Sequence, residues 1–209
     1  MKGHFSIGIL LVFCAYGALG ASNLFKRHDE AEKQKLMIEL NQVRWKIAEQ
    51  APIANMHELY YDQELENEMQ TISCFSIKPG GYIIPFPSEK EAMELANKLQ
   101  NTPADQQQAA VMTFVQTILP LFNPVETKIG CAERKDCGVH ISGVCAVGPN
   151  KNPSTTDVIK GPLGSACPNG PGPVGLCKPS NVGEFGKGED NGSSKSSSLI
   201  ALLLIVLLI

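Results

Sequence analysis

Val125-Glu126-Thr127-Lys128-Ile129-Gly130-Cys131-Ala132 and Val139-His140-Ile141-Ser142-Gly143-Val144-Cys145-Ala146-Val147 decide the fold class. Both segments are short and rich in β-branched residues, and Cys137-Gly138 lies between them, so they read as a β-hairpin. The segments before them read as helices joined by loops. Asp29 to Gln50 carries Leu36, Leu40, Val43 and Ile47 at steps of four, three and four, which is one apolar stripe on a helix ended by Pro52. Tyr61 to Cys74 repeats the pattern with Leu65, Met69 and Ile72. Pro79, Gly80, Gly81, Pro85 and Pro87 make Lys78 to Pro87 a loop. Ser88 with Glu91 three residues on is a capping-box pattern opening a helix to about Leu99. Pro103 opens a further helix from Ala104 to about Leu119, stopped by Pro120 and Pro124.

After the hairpin the sequence loses regular pattern. Pro and Gly dominate from Gly148, and Cys167 and Cys177 pin that coil. Lys178 to Ser198 is a polar, Gly/Ser-rich stalk. Helices, then strands, then tied coil give an α+β domain with a short antiparallel sheet.

The two ends carry a different kind of information. Lys2, the apolar run Phe5 to Phe13, and the small residues Ala18 and Gly20 form a secretion signal over residues 1–20, cleaved before Ala21. Leu199 to Ile209 is eleven apolar residues with no basic residue after it. A helix of that length spans about 16 Å, roughly half a hydrocarbon core. With small residues and a polar spacer before it, residues 193–209 read as a glycolipid-anchor signal, attached at Asn191, Gly192 or Ser193. A short C-terminal membrane helix is the second reading of that tail. The domain then occupies residues 29–179 and the stalk 180–192, on the extracellular face of the plasma membrane.

A net charge of −3 without a basic stripe argues against nucleic acid as a partner. Apart from Cys14 in the signal there are six cysteines: Cys74, Cys131, Cys137, Cys145, Cys167 and Cys177. An even number in a secreted chain implies three disulfides, with 15 pairings open. Zinc ligation would want Cys-x-x-Cys knuckles, and none is present. His28, His57 and His140 do not share a helical face and read as surface histidines. Glu64, Glu66 and Glu68 read as a solvated face. No Gly-x-Ser-x-Gly elbow occurs, so nucleophilic chemistry has no candidate.

These residues together resemble the CAP superfamily, the SCP-like domain of venom allergens, cysteine-rich secretory proteins and plant pathogenesis-related proteins, in a divergent nematode-like form. Leu40-Asn41 with Arg44 matches the first-helix motif. Asn55-Met56, Leu59, Tyr61-Asp62 and Leu65 match the second, with Tyr61 where Trp is commoner. Thr127 to Ala132, Val144-Cys145 and Gly148-Pro149 are similar to the family's strands and exit turn, and Lys160-Gly161, Cys167 and Leu176-Cys177 to its C-terminal tail.

The resemblance implies a three-layer α-β-α sandwich and pairs Cys74 with Cys137, Cys131 with Cys145, and Cys167 with Cys177. The second pair agrees with the hairpin, whose strands carry those two cysteines. The family's metal cleft uses two His and two Glu, and none of the four carries over. Phe75, Ile77, Phe114, Val115 and Ile118 stand in the segments that would supply them. The implied protein has no catalytic, cofactor-binding or metal-binding residues, and its cleft is filled by apolar side chains. It is a non-enzymatic extracellular module that binds a protein or an apolar ligand. The alternatives are a cryptic metal-dependent CAP-type hydrolase and a secreted lipid- or sterol-binding protein.

Overall fold

The computed structural model describes residues 30–78, 81–103, 106, 116–138, 140–150 and 154–179. The secretion signal, His28, Phe114, Val115, the stalk, the anchor signal and its attachment residues lie outside the described residues. So does most of the helix expected over 104–119, of which 106 and 116–118 are helical.

The elements run α1 (Glu30–Gln50), β1 (Tyr60–Tyr61), α2 (Gln63–Thr71), β2 (Ile83–Pro87), α3 (Glu89–Gln100), β3 (Lys128–Glu133) and β4 (Ile141–Gly148). The sheet order is β1-β3-β4-β2. β3 and β4 form the antiparallel hairpin, with Cys131 opposite Cys145, and β2 adds to β4 antiparallel. β1 lies parallel to β3, so the sheet is mixed rather than purely antiparallel.

Alternation along the strands sorts side chains to two faces. Ile84, Ile129, Cys131, Cys145 and Val147 join Leu36, Leu40, Val43 and Ile47 of α1 in one core. Ile83, Ala132, Val144 and Ala146 join Met69 of α2 in another. The sheet therefore has a helix on each face, which is the three-layer α-β-α arrangement. Burying each of the four α1 side chains contributes roughly 1.5–3 kcal/mol. Among the described residues, no helix is long and apolar enough to cross a membrane.

Several element boundaries differ from the sequence expectation, and the hairpin strand expected from Val125 begins at Lys128. The second helix starts at Gln63, not Tyr61, because Tyr60 and Tyr61 pair with Lys128 and Ile129 and Asp62 caps the helix. It stops at Thr71: Ile72 is extended, and Cys74–Ser76 form a separate 3-10 turn. The stretch read as a loop contains strand β2. Its Pro85 and Pro87 are tolerated because β2 is an edge strand, paired on one side alone.

The C-terminal coil is not peripheral. Leu176 and Cys177 are fully buried, the Cys177 amide donates to Met56 O at 2.7 Å, and the Glu58 amide donates to Cys177 O at 3.0 Å. The tail thus closes one side of the α1 core.

Candidate functional site

The motif residues act first on the backbone. Asn41 donates to Leu59 O at 2.9 Å and accepts from the Leu59 amide at 2.8 Å, so one side chain satisfies both polar groups of a buried residue. Arg44 is fully buried, and its guanidinium donates to four carbonyls: His57 at 2.9 Å, Asn123 at 3.1 Å, Glu126 at 3.0 Å, and Leu121. Burial lowers the Arg44 pKa to about 9 against the attraction of Glu126, so it stays charged at neutral pH. Asn55 holds the coil in the same manner as Asn41, donating to Asp157 O at 2.8 Å and accepting from the Ile159 amide at 3.0 Å. Asp62 caps α2 through the amides of Glu64 and Leu65 and pairs with Lys128 Nζ at 2.7 Å. Each of these motif side chains joins segments distant in sequence.

A second ionic cluster lies between α1 and α2. Lys33 reaches Glu66 Oε2 at 3.0 Å and Gln63 Oε1 at 2.8 Å, with its Nζ 4.6 Å from the Tyr61 ring centroid. Both ends of the ion pair are about nine-tenths buried, so Glu66 is not on a solvated face as its sequence position suggested. Burial alone would raise its pKa, but the bonds from Lys33, Tyr61 and Gln63 together with the Lys33 charge outweigh that and hold it low. Burial pushes the Tyr61 phenol up, and its hydroxyl bonds Cys131 O at 3.1 Å. Sequence reasoning missed Lys33, since a lysine early in a charged helix gives no sign of a partner 33 residues on.

The histidines separate. His140 is exposed and meets Glu91 Oε2 at 2.8 Å. That Glu91 belongs to the capping box of α3, where its amide donates to Ser88 Oγ at 3.3 Å. His57, expected at the surface, is buried, with Nδ1 2.9 Å from Pro124 O and 3.0 Å from Asn55 O. The loop after α1 folds back under Arg44, and that carries His57 inward.

The structure joins Cys74 to Cys137, Cys131 to Cys145, and Cys167 to Cys177. Among the described residues, Cys74, Asp136 and Cys137 are close enough to suggest a metal cluster, but the bridge consumes both sulfurs. Arg134, which sequence reasoning also passed over, is buried beside it. It pairs with Asp136 through two hydrogen bonds of 2.9 Å, donates to Met69 O and Ile72 O at the end of α2, and reaches Cys74 Sγ at 3.5 Å. Of the residues expected to fill a cleft, Ile77 is buried in the α2 core and Ile118 packs against the α1 core. Phe75 does the opposite. It is 92% exposed, on the 3-10 turn that follows Cys74.

The crystal structure of hookworm platelet inhibitor matches this fold with a TM-score of 0.51. The match covers 76% of this chain and 96% of that one, at 17% identity. The chain has the CAP fold. The structure of BmVAL-1 matches this chain with a TM-score of 0.46 at 16% identity, over 74% of this chain and 97% of that one. NaASP2 with Zn2+ matches with a TM-score of 0.44 at 21% identity, over 71% and 96%. No family model and no curated protein matches the sequence. In this chain the Asn-Arg motif of α1 is a loop clamp, and Asp62 and Glu66 are each tied to a lysine.

Proposed function

We propose that this CAP-fold domain is a non-enzymatic extracellular interaction module, displayed at the cell surface on a glycolipid anchor, and that it binds a protein partner through the turn carrying Phe75. The exposure of Phe75 carries the reading. A phenylalanine 92% open to water sits on a short 3-10 turn tethered at Cys74, whose sulfur is bridged to Cys137 and contacted by the buried Arg134. Rigid, projecting aromatics are what buried interface anchors look like before the partner arrives. Inserting the ring into a partner's pocket contributes about 1.5–3 kcal/mol without a conformational change. A projecting ring suits a protein surface better than a lipid, which would need a concave cavity.

Two measurements test the two halves. Phosphatidylinositol-specific phospholipase C releases the protein from intact cells; retention beside a released control protein refutes the glycolipid anchor. Fluorescently labelled soluble domain binds cell surfaces in a manner competed by unlabelled domain, and Phe75→Ala weakens that binding at least about tenfold with unchanged thermal stability. Equal binding by Phe75→Ala removes the turn from the interface.

A further inference from the structure

The three bridges sit in different surroundings. Cys131 and Cys145 are buried in the sheet, and Cys177 is fully buried in the tail. Cys74 and Cys137 are both half-buried, flanked by the exposed residues Ser73, Phe75, Ser76, Asp136 and Gly138. The Arg134 guanidinium lies 3.5 Å from Cys74 Sγ, held there by the Met69 and Ile72 carbonyls. The Asp136 carboxylate lies 3.7 Å from Cys74 Sγ and 3.9 Å from Cys137 Sγ, and its side chain is 64% exposed.

We propose that the Cys74–Cys137 bridge is a thiol-exchange site, opened by small extracellular thiols at Cys137 with Cys74 as the leaving group. This does not depend on the anchor or on a partner. An external thiolate attacks Cys137 Sγ, the S–S bond breaks, and its electron pair leaves on Cys74 Sγ. Exchange is faster when the leaving thiolate is stabilised, and the Arg134 guanidinium stands in hydrogen-bond contact with the Cys74 sulfur at 3.5 Å. A second thiol then attacks the mixed disulfide, releases the Cys137 thiolate and leaves as the oxidised disulfide, so two electrons pass to the protein. Asp136 opposes the reaction, because its carboxylate repels both the incoming anion and the negative charge developing on Cys74 Sγ.

The fold survives the opening. Arg134 ties the end of α2 to the strand hairpin through Met69 O and Ile72 O, independently of the bridge. What is freed is the Cys74–Ser76 turn, which carries Phe75. Exchange therefore changes how firmly the exposed ring is held.

The test uses the full oxidised protein in native buffer at neutral pH, treated with limiting glutathione, quenched with iodoacetamide and mapped by peptide mass. Glutathione appears on Cys137 with carbamidomethyl on Cys74, at least about tenfold faster than either other bridge opens. Opening of all three at one rate, or the adduct chiefly on Cys74, overturns the proposal. Arg134→Gln evens the distribution of adduct between the two sulfurs. Should that variant fail to fold, the surface substitution Asp136→Asn decides: it speeds opening several-fold, and an unchanged or slower rate overturns the proposal.

Discussion

Arg44 and Glu126 are buried together without joining their charged ends. The guanidinium takes the Glu126 backbone carbonyl at 3.0 Å, while the Glu126 carboxylate accepts from the Asn150 amide at 3.2 Å. The carboxylate's other oxygen, Oε1, has no hydrogen-bond partner among the described residues. Arg44 is thus a structural bolt for the loops at 57 and 121–126, and Glu126 is an acid held where ionisation is costly.

Removing the bolt strips a donor from four buried carbonyls, of which, among the described residues, only Asn123 O keeps another partner, the Glu126 amide at 3.2 Å. Each one left unsatisfied costs about 1–3 kcal/mol. Arg44→Met is expected to lower stability by more than about 3 kcal/mol in chemical denaturation. Arg44→Lys recovers part of that loss, because one ammonium cannot reach four acceptors at the corners of a planar fork. If Arg44→Met melts like the wild type, the loops are held by packing instead.

Burial raises the Glu126 pKa to about 7, more than the Asn150 hydrogen bond and Arg44 lower it. Between the ordinary carboxyl value near 4.3 and about 7, the folded state then holds a proton that the unfolded state has lost. Stability contributed by this group therefore rises as pH falls through that window and levels off below it. Asp62 and Glu66 are depressed by their lysines, with burial opposing, and their contribution is lost at still lower pH. A melting-temperature profile should peak in mildly acid solution, and Glu126→Gln should flatten its neutral limb. A limb that keeps its slope in Glu126→Gln assigns the effect to another group.

The layers of this fold were legible where one periodicity dominated. Leu36, Leu40, Val43 and Ile47 give α1, and the β-branched runs around Cys131 and Cys145 give the hairpin, because burial on one face repeats at the helical or strand spacing. β2 was not legible, since Pro85 and Pro87 signal a loop unless the strand is known to lie at an edge. The site was harder. Charge in a sequence reads as surface, yet Lys33, Arg44, Glu66, Glu126 and Arg134 are all buried by partners brought together from distant segments. His57 was misplaced for the same reason, and the exposure of Phe75 is the mirror image of that error.

Zinc should not bind stoichiometrically at neutral pH. A zinc site needs several lone-pair donors about 2.0–2.3 Å from the ion. His57 Nδ1 is engaged by two backbone carbonyls, His140 faces a single glutamate, and the Cys74 and Cys137 sulfurs are bonded to each other. Isothermal titration with zinc chloride checks this. Binding tighter than micromolar that is abolished by His57→Ala or His140→Ala would revive the hydrolase reading.

Gly130 gives the sharpest test of how α2 sits on the sheet. A Cβ at that position would lie 2.2 Å from Glu66 N and 2.6 Å from both Leu65 C and Leu65 Cβ. Two of those three atoms are backbone, at the start of a helix already fixed by the Asp62 cap, so rotating a side chain cannot relieve the clash. A glycine inside a strand often marks such a close backbone approach. Gly130→Ala should therefore drive α2 from the sheet, disturb the Lys33–Glu66 ion pair with it, and reach or exceed the about 1–3 kcal/mol typical of overpacking. Gly148→Ala is the control, since its Cβ would touch Leu65 Cδ1 at an ordinary 3.5 Å. Thermal melts of the two variants compare them directly. If Gly130→Ala and Gly148→Ala are equally stable, the helix rides higher on β3 than this packing requires, and the Lys33–Glu66 pair loses the platform that buries it.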